Sequence, residues 1–128
     1  MYKQAMIAGS LFAALAVILG AFGAHALKAV LPADQLMVFE TGVRYQFYHS
    51  FALLICGIIY PSFPFKNVKT AATLFILGIV LFSGSLYAMT LLSIKSISIG
   101  QVGIITPIGG LCLIIGWILL FLSIIKKQ

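Results

Sequence analysis

Glu40, Arg44, Tyr45, Gln46, Tyr48 and His49 crowd ionisable and hydrogen-bonding side chains into ten residues of an otherwise apolar chain. The run passes directly into the apolar stretch 51–60, which puts these polar groups in the first turns of a membrane-crossing helix. A bilayer makes such groups costly, so they are functional candidates by default. Glu40 and Arg44 stand at the i,i+4 spacing of a helical ion pair, which in exposed form contributes only about 0.3–0.5 kcal/mol. Two readings follow. Either the pair anchors the helix at the interface, or Arg44 clamps a carboxylate or phosphate headgroup with Glu40 holding the guanidinium. His49 lies ~7–8 Å deeper than Arg44 at ~1.5 Å per residue. Its bland role is a packed, hydrogen-bonded ring; its functional roles are proton relay, ligand contact or metal ligand. Tyr45 precedes it by one turn on the same face.

Other polar residues recur further on. Ser83, Ser85, Tyr87 and Thr90 interrupt the third apolar run, and Thr106, Pro107, Gly109 and Gly110 open the fourth. Serine and glycine permit close helix crossing, and hydroxyl bonds between helices in lipid average about 0.6 kcal/mol. Pro107 suits a helix start, where free N–H groups either are simply capped or hold an anion. His25, Glu40 and His49 together have the composition of a two-His-one-carboxylate metal site. However, no His-x-x-x-His or Glu-x-x-His spacing, no cysteine beside a histidine and no cofactor fingerprint supports an intramembrane enzyme. No metal and no cofactor is expected.

The elements that must position these residues follow from composition. The chain is 62% hydrophobic and 8% charged, with a mean hydropathy of +1.19. A soluble domain of this size has too little interior to hide that much apolar surface. Charge-free runs cover 4–27, 45–65, 70–94 and 96–125; each reaches the ~20 residues that span the hydrocarbon core. The expected fold is all-α: one domain of four transmembrane helices in a bundle, at about 4–26, 44–62, 70–94 and 104–125. Before the second span, Pro32 and Asp34 suit a helix start, and Leu36, Phe39, Val43 and Phe47 form one apolar face. That pattern predicts an interfacial amphipathic helix over 32–43, continuing through or bending at Gly42.

The first span carries Ala5, Gly9, Ala13, Ala16, Gly20 and Ala24 within an arc of roughly 100°. Such a small-residue stripe lets helix backbones approach closely, within the bundle or against a second copy in a homo-oligomer. The motif Ala24-His25-Ala26 fits a signal-peptidase site, but the apolar stretch before it exceeds an h-region of about 7–15 residues. It is expected to be the first membrane helix. Cys56 and Cys112 are expected to pack as small side chains.

The net charge of +6 is scattered singly, without an aromatic-interleaved basic stripe, so nucleic-acid binding is not expected. With four spans, Lys3, Lys66, Lys69, Lys126 and Lys127 share one side, against Lys28, Arg44 and Lys95 on the other. The positive-inside rule then puts both termini in the cytoplasm. Glu40, Arg44, Ser83, Ser85, Tyr87 and Thr106 all fall towards the outer face, which suggests one polar outer-leaflet site.

Four ordered phrases carry a resemblance: Gly20-Ala-Phe-Gly-Ala-His-Ala-Leu-Lys28, Arg44-Tyr-Gln-Phe-Tyr-His49, Phe82-Ser-Gly-Ser-Leu-Tyr87, and Thr106-Pro-Ile-Gly-Gly110 with Gly116-Trp117. Together they resemble domain-of-unknown-function family 423, the YwdK/YgdD-like small membrane proteins, similar to the transmembrane protein 256 family. The resemblance implies a multi-pass protein of the bacterial inner membrane and carries no catalytic role. It places His25, Arg44, Tyr45, Gln46, His49, Ser83, Ser85, Tyr87, Thr106, Pro107 and Gly109 on motif positions. The expected function is non-enzymatic: binding of membrane lipid or a small amphiphile at the outer site, or assembly with partners. A small transporter or proton-coupled carrier is the alternative.

Overall fold

The computed structural model describes residues 1–63, 65–97 and 100–126, which are helical with short links and contain no strand. Helix α1 (Lys3–His25) ends in a single 3-10 turn, Leu27–Ala29, and α2 runs over Ala33–Ile59. Helices α3 (Phe65–Gly78) and α4 (Gly84–Ile94) are joined through a π-helical segment, Ile79–Ser83, into one long rod. Helix α5 covers Val102–Ile125. Lys127, one of the charges in the topology count, lies outside the described residues.

Three stretches are long and apolar enough to cross a membrane: Lys3–Ala29, Lys66–Ile94 and Val102–Ile125. The expected fourth span does not join them on these criteria. Its helix is long enough, at 27 residues, but the polar run from Glu40 to His49 dilutes its apolarity. Of the two courses expected for the helix over 32–43, continuing through Gly42 or bending there, the chain takes the first. Pro32 caps α2 in an extended conformation and Asp34 sits in the first turn, after which the helix continues without a break through Gly42. Gly42 is a contact residue there, since a Cβ would stand 2.7 Å from the ring of Tyr87.

Helix α1 packs on α2, α2 on the α3–α4 rod, and the rod on α5. Part of the small-residue stripe of α1 packs inside the subunit. Ala5, Gly9, Ala16 and Gly23 are buried, and a Cβ on Gly9 would stand 2.8 Å from the Ser50 carbonyl oxygen. Ala13 and Gly20 are half-buried, whereas Ala24 is exposed and Gly23 takes its place against Phe39. The buried set steps by seven from Gly9 to Ala16 to Gly23. That is the ~3.5-residue period of helices wrapping left-handedly, so a stripe drawn on the ~3.6-residue period drifts off the contact.

Helix α5 faces the rod with Gly109, Leu113, Gly116, Leu120 and Ser123. Its start corrects the expected one. The helix begins at Val102 and holds Pro107 inside it, so the Thr106–Gly110 turn is not a free N-terminus and its N–H groups are not laid out for an anion. Gly109 instead meets the π segment: a Cβ there would collide with the Phe82 backbone nitrogen.

One end of the molecule gathers Tyr2, Tyr60, Phe63, Val68 and Leu120 around a single apolar core. Tyr2 stacks on Tyr60 with ring centroids 5.1 Å apart. The start of α1, the α2–α3 link and the last turns of α5 therefore share this end. At the opposite end Leu27, Leu31 and Phe39 form a smaller cluster with Tyr87 against it.

Candidate functional site

Gln46 is the polar centre of the fold. It is 3% exposed, so its amide must be bonded within the protein. Its Nε2 donates to the Phe12 carbonyl oxygen of α1 over 2.8 Å. Its Oε1 accepts from the Tyr87 hydroxyl of α4 over 2.7 Å. One side chain thus ties three helices together at one depth. The neighbouring hydroxyls are spent in the same way. Ser83 donates to the Gly42 carbonyl oxygen over 2.6 Å. Ser85 donates to the Phe82 carbonyl oxygen over 2.8 Å. Its single proton is used there, so Thr106, 2.6 Å away, is the donor to Ser85. Among the described residues no buried side-chain polar atom lacks a partner.

His49 is held from both sides. Its Nδ1 lies 2.7 Å from the Tyr45 carbonyl oxygen, and the Trp117 indole Nε1 lies 3.0 Å from its Nε2. An indole nitrogen can only donate and a carbonyl can only accept. Nε2 must therefore be the unprotonated nitrogen, and the proton sits on Nδ1. Tyr45 and Phe75 pack against the imidazole, with centroids 6.1 and 5.6 Å away. Of the roles open to His49, packing and hydrogen bonding is the one this geometry fills.

Trp117 is not among the residues expected at the site, yet it lines the groove and bonds His49. It lies eight residues before the last residue of α5, roughly 12 Å inside it at ~1.5 Å per residue. That depth was the available signal, because aromatic belts sit at the interface.

The residues expected to form one outer-leaflet site separate into three groups. Gln46, Ser83, Ser85, Tyr87 and Thr106 form interhelical bonds, and Gly109 packs against the rod. Tyr45, Tyr48 and His49 line a groove between α2 and α5, together with Phe82, Gly110, Leu113, Ile114 and Trp117; its volume is about 560 Å³. Glu40 and Arg44 line a second recess of about 240 Å³, between α1 and α2, with Gly20, Gly23, Phe39 and Val43. Helical geometry explains the split: Glu40 and Arg44 share a face, while Tyr45 is turned ~100° from Arg44.

The groove is predominantly aromatic and aliphatic. Tyr45 and Tyr48 pack edge to face at 5.9 Å, and neither hydroxyl has a hydrogen-bond partner among the described residues. In the recess, Glu40 and Arg44 form no ion pair, contrary to what their spacing allows. His25 is exposed at the end of α1. Among the described residues no three His, Cys, Asp or Glu side chains come together as a metal site, so His25, Glu40 and His49 do not converge.

Comparison with known proteins matches residues 19–110 to the family model "Protein of unknown function (DUF423)". That stretch holds all of α2 and the rod and stops short of Trp117. The chain is 44% identical to the UPF0382 membrane protein YwdK of Bacillus subtilis over 125 residues, covering 97% of this chain and 98% of that protein. A UPF0382 membrane protein of Staphylococcus aureus is 45% identical over 124 residues, 97% of each chain. One from Staphylococcus haemolyticus is 43% identical over the same length and coverage. No solved structure matches the chain significantly.

Proposed function

This chain belongs to the DUF423 family of membrane proteins, and from that premise we propose that it is a non-enzymatic, multi-pass protein of the bacterial cell membrane whose α2–α5 groove holds an amphiphile of the bilayer. In this reading α2 is the fourth membrane-crossing helix. Its polar residues are tolerated because they bond inward, as Gln46 and His49 do, or lie near the surface, as Glu40 and Arg44 do. Both termini face the cytoplasm, following the lysine distribution.

The observation that carries the proposal is the wall of the groove. About 560 Å³ lies between two helices, lined by four aromatic side chains and the ring of His49. That volume falls in the ~300–1,000 Å³ range of small-molecule sites, which pair apolar walls with a few polar groups. The polar groups here are the unpartnered hydroxyls of Tyr45 and Tyr48. Lipid hydrocarbon supplies no acceptor, and an unpaired donor there is costly. An acyl chain lying along Leu113 and Ile114, with an ester carbonyl accepting from Tyr45, meets both demands. A proton-coupled carrier is less well supported, because both ring nitrogens of His49 are already engaged.

The test is photocrosslinking with a phospholipid carrying a diazirine in its acyl chain. Adducts concentrated on Tyr45, Tyr48 and Ile114 are expected. Adducts spread equally over the lipid-facing Ile7, Leu11 and Val17 of α1 would remove the groove reading.

A further inference from the structure

We infer that the recess between α1 and α2 is a separate binding site for a phospholipid headgroup carrying both a phosphate and a primary ammonium, as phosphoethanolamine does. The inference stands on other residues than the α2–α5 groove and does not depend on it.

Two opposite charges line one small recess and are not bonded to each other. Glu40 and Arg44 are four residues apart on α2, where side chains come within easy reach of an ion pair. Each is exposed. Arg44 offers a planar fork of donors suited to phosphate, and Glu40 offers acceptors suited to an ammonium. A ligand with one charge would leave the other residue facing a like charge or nothing. A zwitterion satisfies both.

The shape of the recess comes from α1. Gly20 and Gly23 line it, and a long side chain on Gly20 would enter the space now open. A Cβ there would stand 3.4 Å from Val43, so alanine fits while a longer side chain fills the recess. The depth is also suitable. Gly20 and Gly23 belong to the last turns of α1, which ends at His25, and Glu40 and Arg44 are level with them. That is the end of the molecule opposite Tyr2 and Tyr60, where a helix leaves the hydrocarbon.

The ammonium must carry N–H groups. A carboxylate accepts hydrogen bonds from a primary ammonium, and a trimethylammonium has none to give. Phosphatidylethanolamine is therefore favoured over phosphatidylcholine, and both over phosphatidylglycerol, which brings a phosphate but no cation for Glu40.

The experiment is native mass spectrometry of the full chain released from nanodiscs holding equal parts of the three lipids. Wild type is expected to retain phosphatidylethanolamine at least five-fold over phosphatidylglycerol. Glu40→Gln is expected to bring that ratio to near one while still retaining lipid, and Arg44→Gln to lower retention of all three. Gly20→Leu is expected to abolish retention of the preferred lipid, while Gly84→Ala, outside the recess and with nothing within 4 Å of an added Cβ, keeps it. Equal retention of the three lipids by wild type, or an undiminished preference in Glu40→Gln, overturns the assignment.

Discussion

The indole N–H of Trp117 in α5 points at Nε2 of His49 in α2 across 3.0 Å. This contact sets which nitrogen of the histidine carries the proton, and it joins two helices that otherwise meet mainly through the rod between them. The expected tautomer is Nδ1–H. Nitrogen-15 NMR of histidine-labelled protein should show a protonated Nδ1 and a bare Nε2 for His49, with His25→Gln used to assign the signals. In Trp117→Phe the Nε2 acceptor loses its donor while the Tyr45 carbonyl oxygen still holds Nδ1–H, so the Nε2 resonance should shift with the tautomer unchanged. An Nε2–H tautomer in wild type would contradict this arrangement.

Gln46 and Tyr87 should be energetically coupled. Their hydrogen bond, at 2.7 Å, crosses from α2 to α4. Interhelical bonds of this type in membranes average about 0.6 kcal/mol and reach at most ~1.7. A double-mutant cycle with Gln46→Ala and Tyr87→Phe, read by unfolding in detergent, should give a coupling in that range. Strict additivity would mean that the bond contributes nothing.

Two glycine-to-alanine substitutions on facing helices should behave oppositely. A Cβ on Gly109 would strike the backbone at Leu81 and Phe82, while one on Gly84 would meet nothing within 4 Å. Backbone cannot rotate aside, so Gly109→Ala should cost about 1–3 kcal/mol, as overpacking does. Gly84→Ala should be neutral or stabilise by up to ~1 kcal/mol through helix propensity. Thermal melts of the two variants check the contrast.

Much of the fold is legible because bilayer physics is coarse. Uninterrupted apolar runs mark where α1, the α3–α4 rod and α5 lie, though the rod begins at Phe65, five residues before the apolar run from 70. The position of His49 one turn below Tyr45 marks it as a ring needing partners. What does not follow from one sequence is which face of a helix meets which neighbour. Arg44 and His49 read as one site because they share a segment, yet helical rotation sends them to different recesses. Ser85 and Thr106 read as lining groups because they are polar, whereas close packing lets them bond to each other. The start of α5 lies at Val102, two residues before the expected 104, so Pro107, which looks like a first-turn residue, stands inside the helix.

Topology gives a further expectation. Both termini should report a cytoplasmic location, since the start of α1 and the last turns of α5 lie at the end of the molecule with Lys66 and Lys69 close by. Fluorescent-protein fusions at either terminus should glow, and alkaline phosphatase fusions there should be inactive. The reverse pattern would invert the protein and move the Glu40 recess to the cytoplasmic leaflet.

The occupied groove is tested most directly by the fluorescence of Trp117, the only tryptophan in the chain. Because Trp117 forms part of the groove wall, phospholipids with brominated acyl chains should quench it in a saturable phase at low mole fraction, above the bulk-lipid baseline. Gly110→Leu, which puts a side chain into the groove, should abolish that phase and leave the baseline intact. Quenching that rises only in proportion to bulk brominated lipid, and is unchanged by Gly110→Leu, would contradict a lipid chain held between α2 and α5.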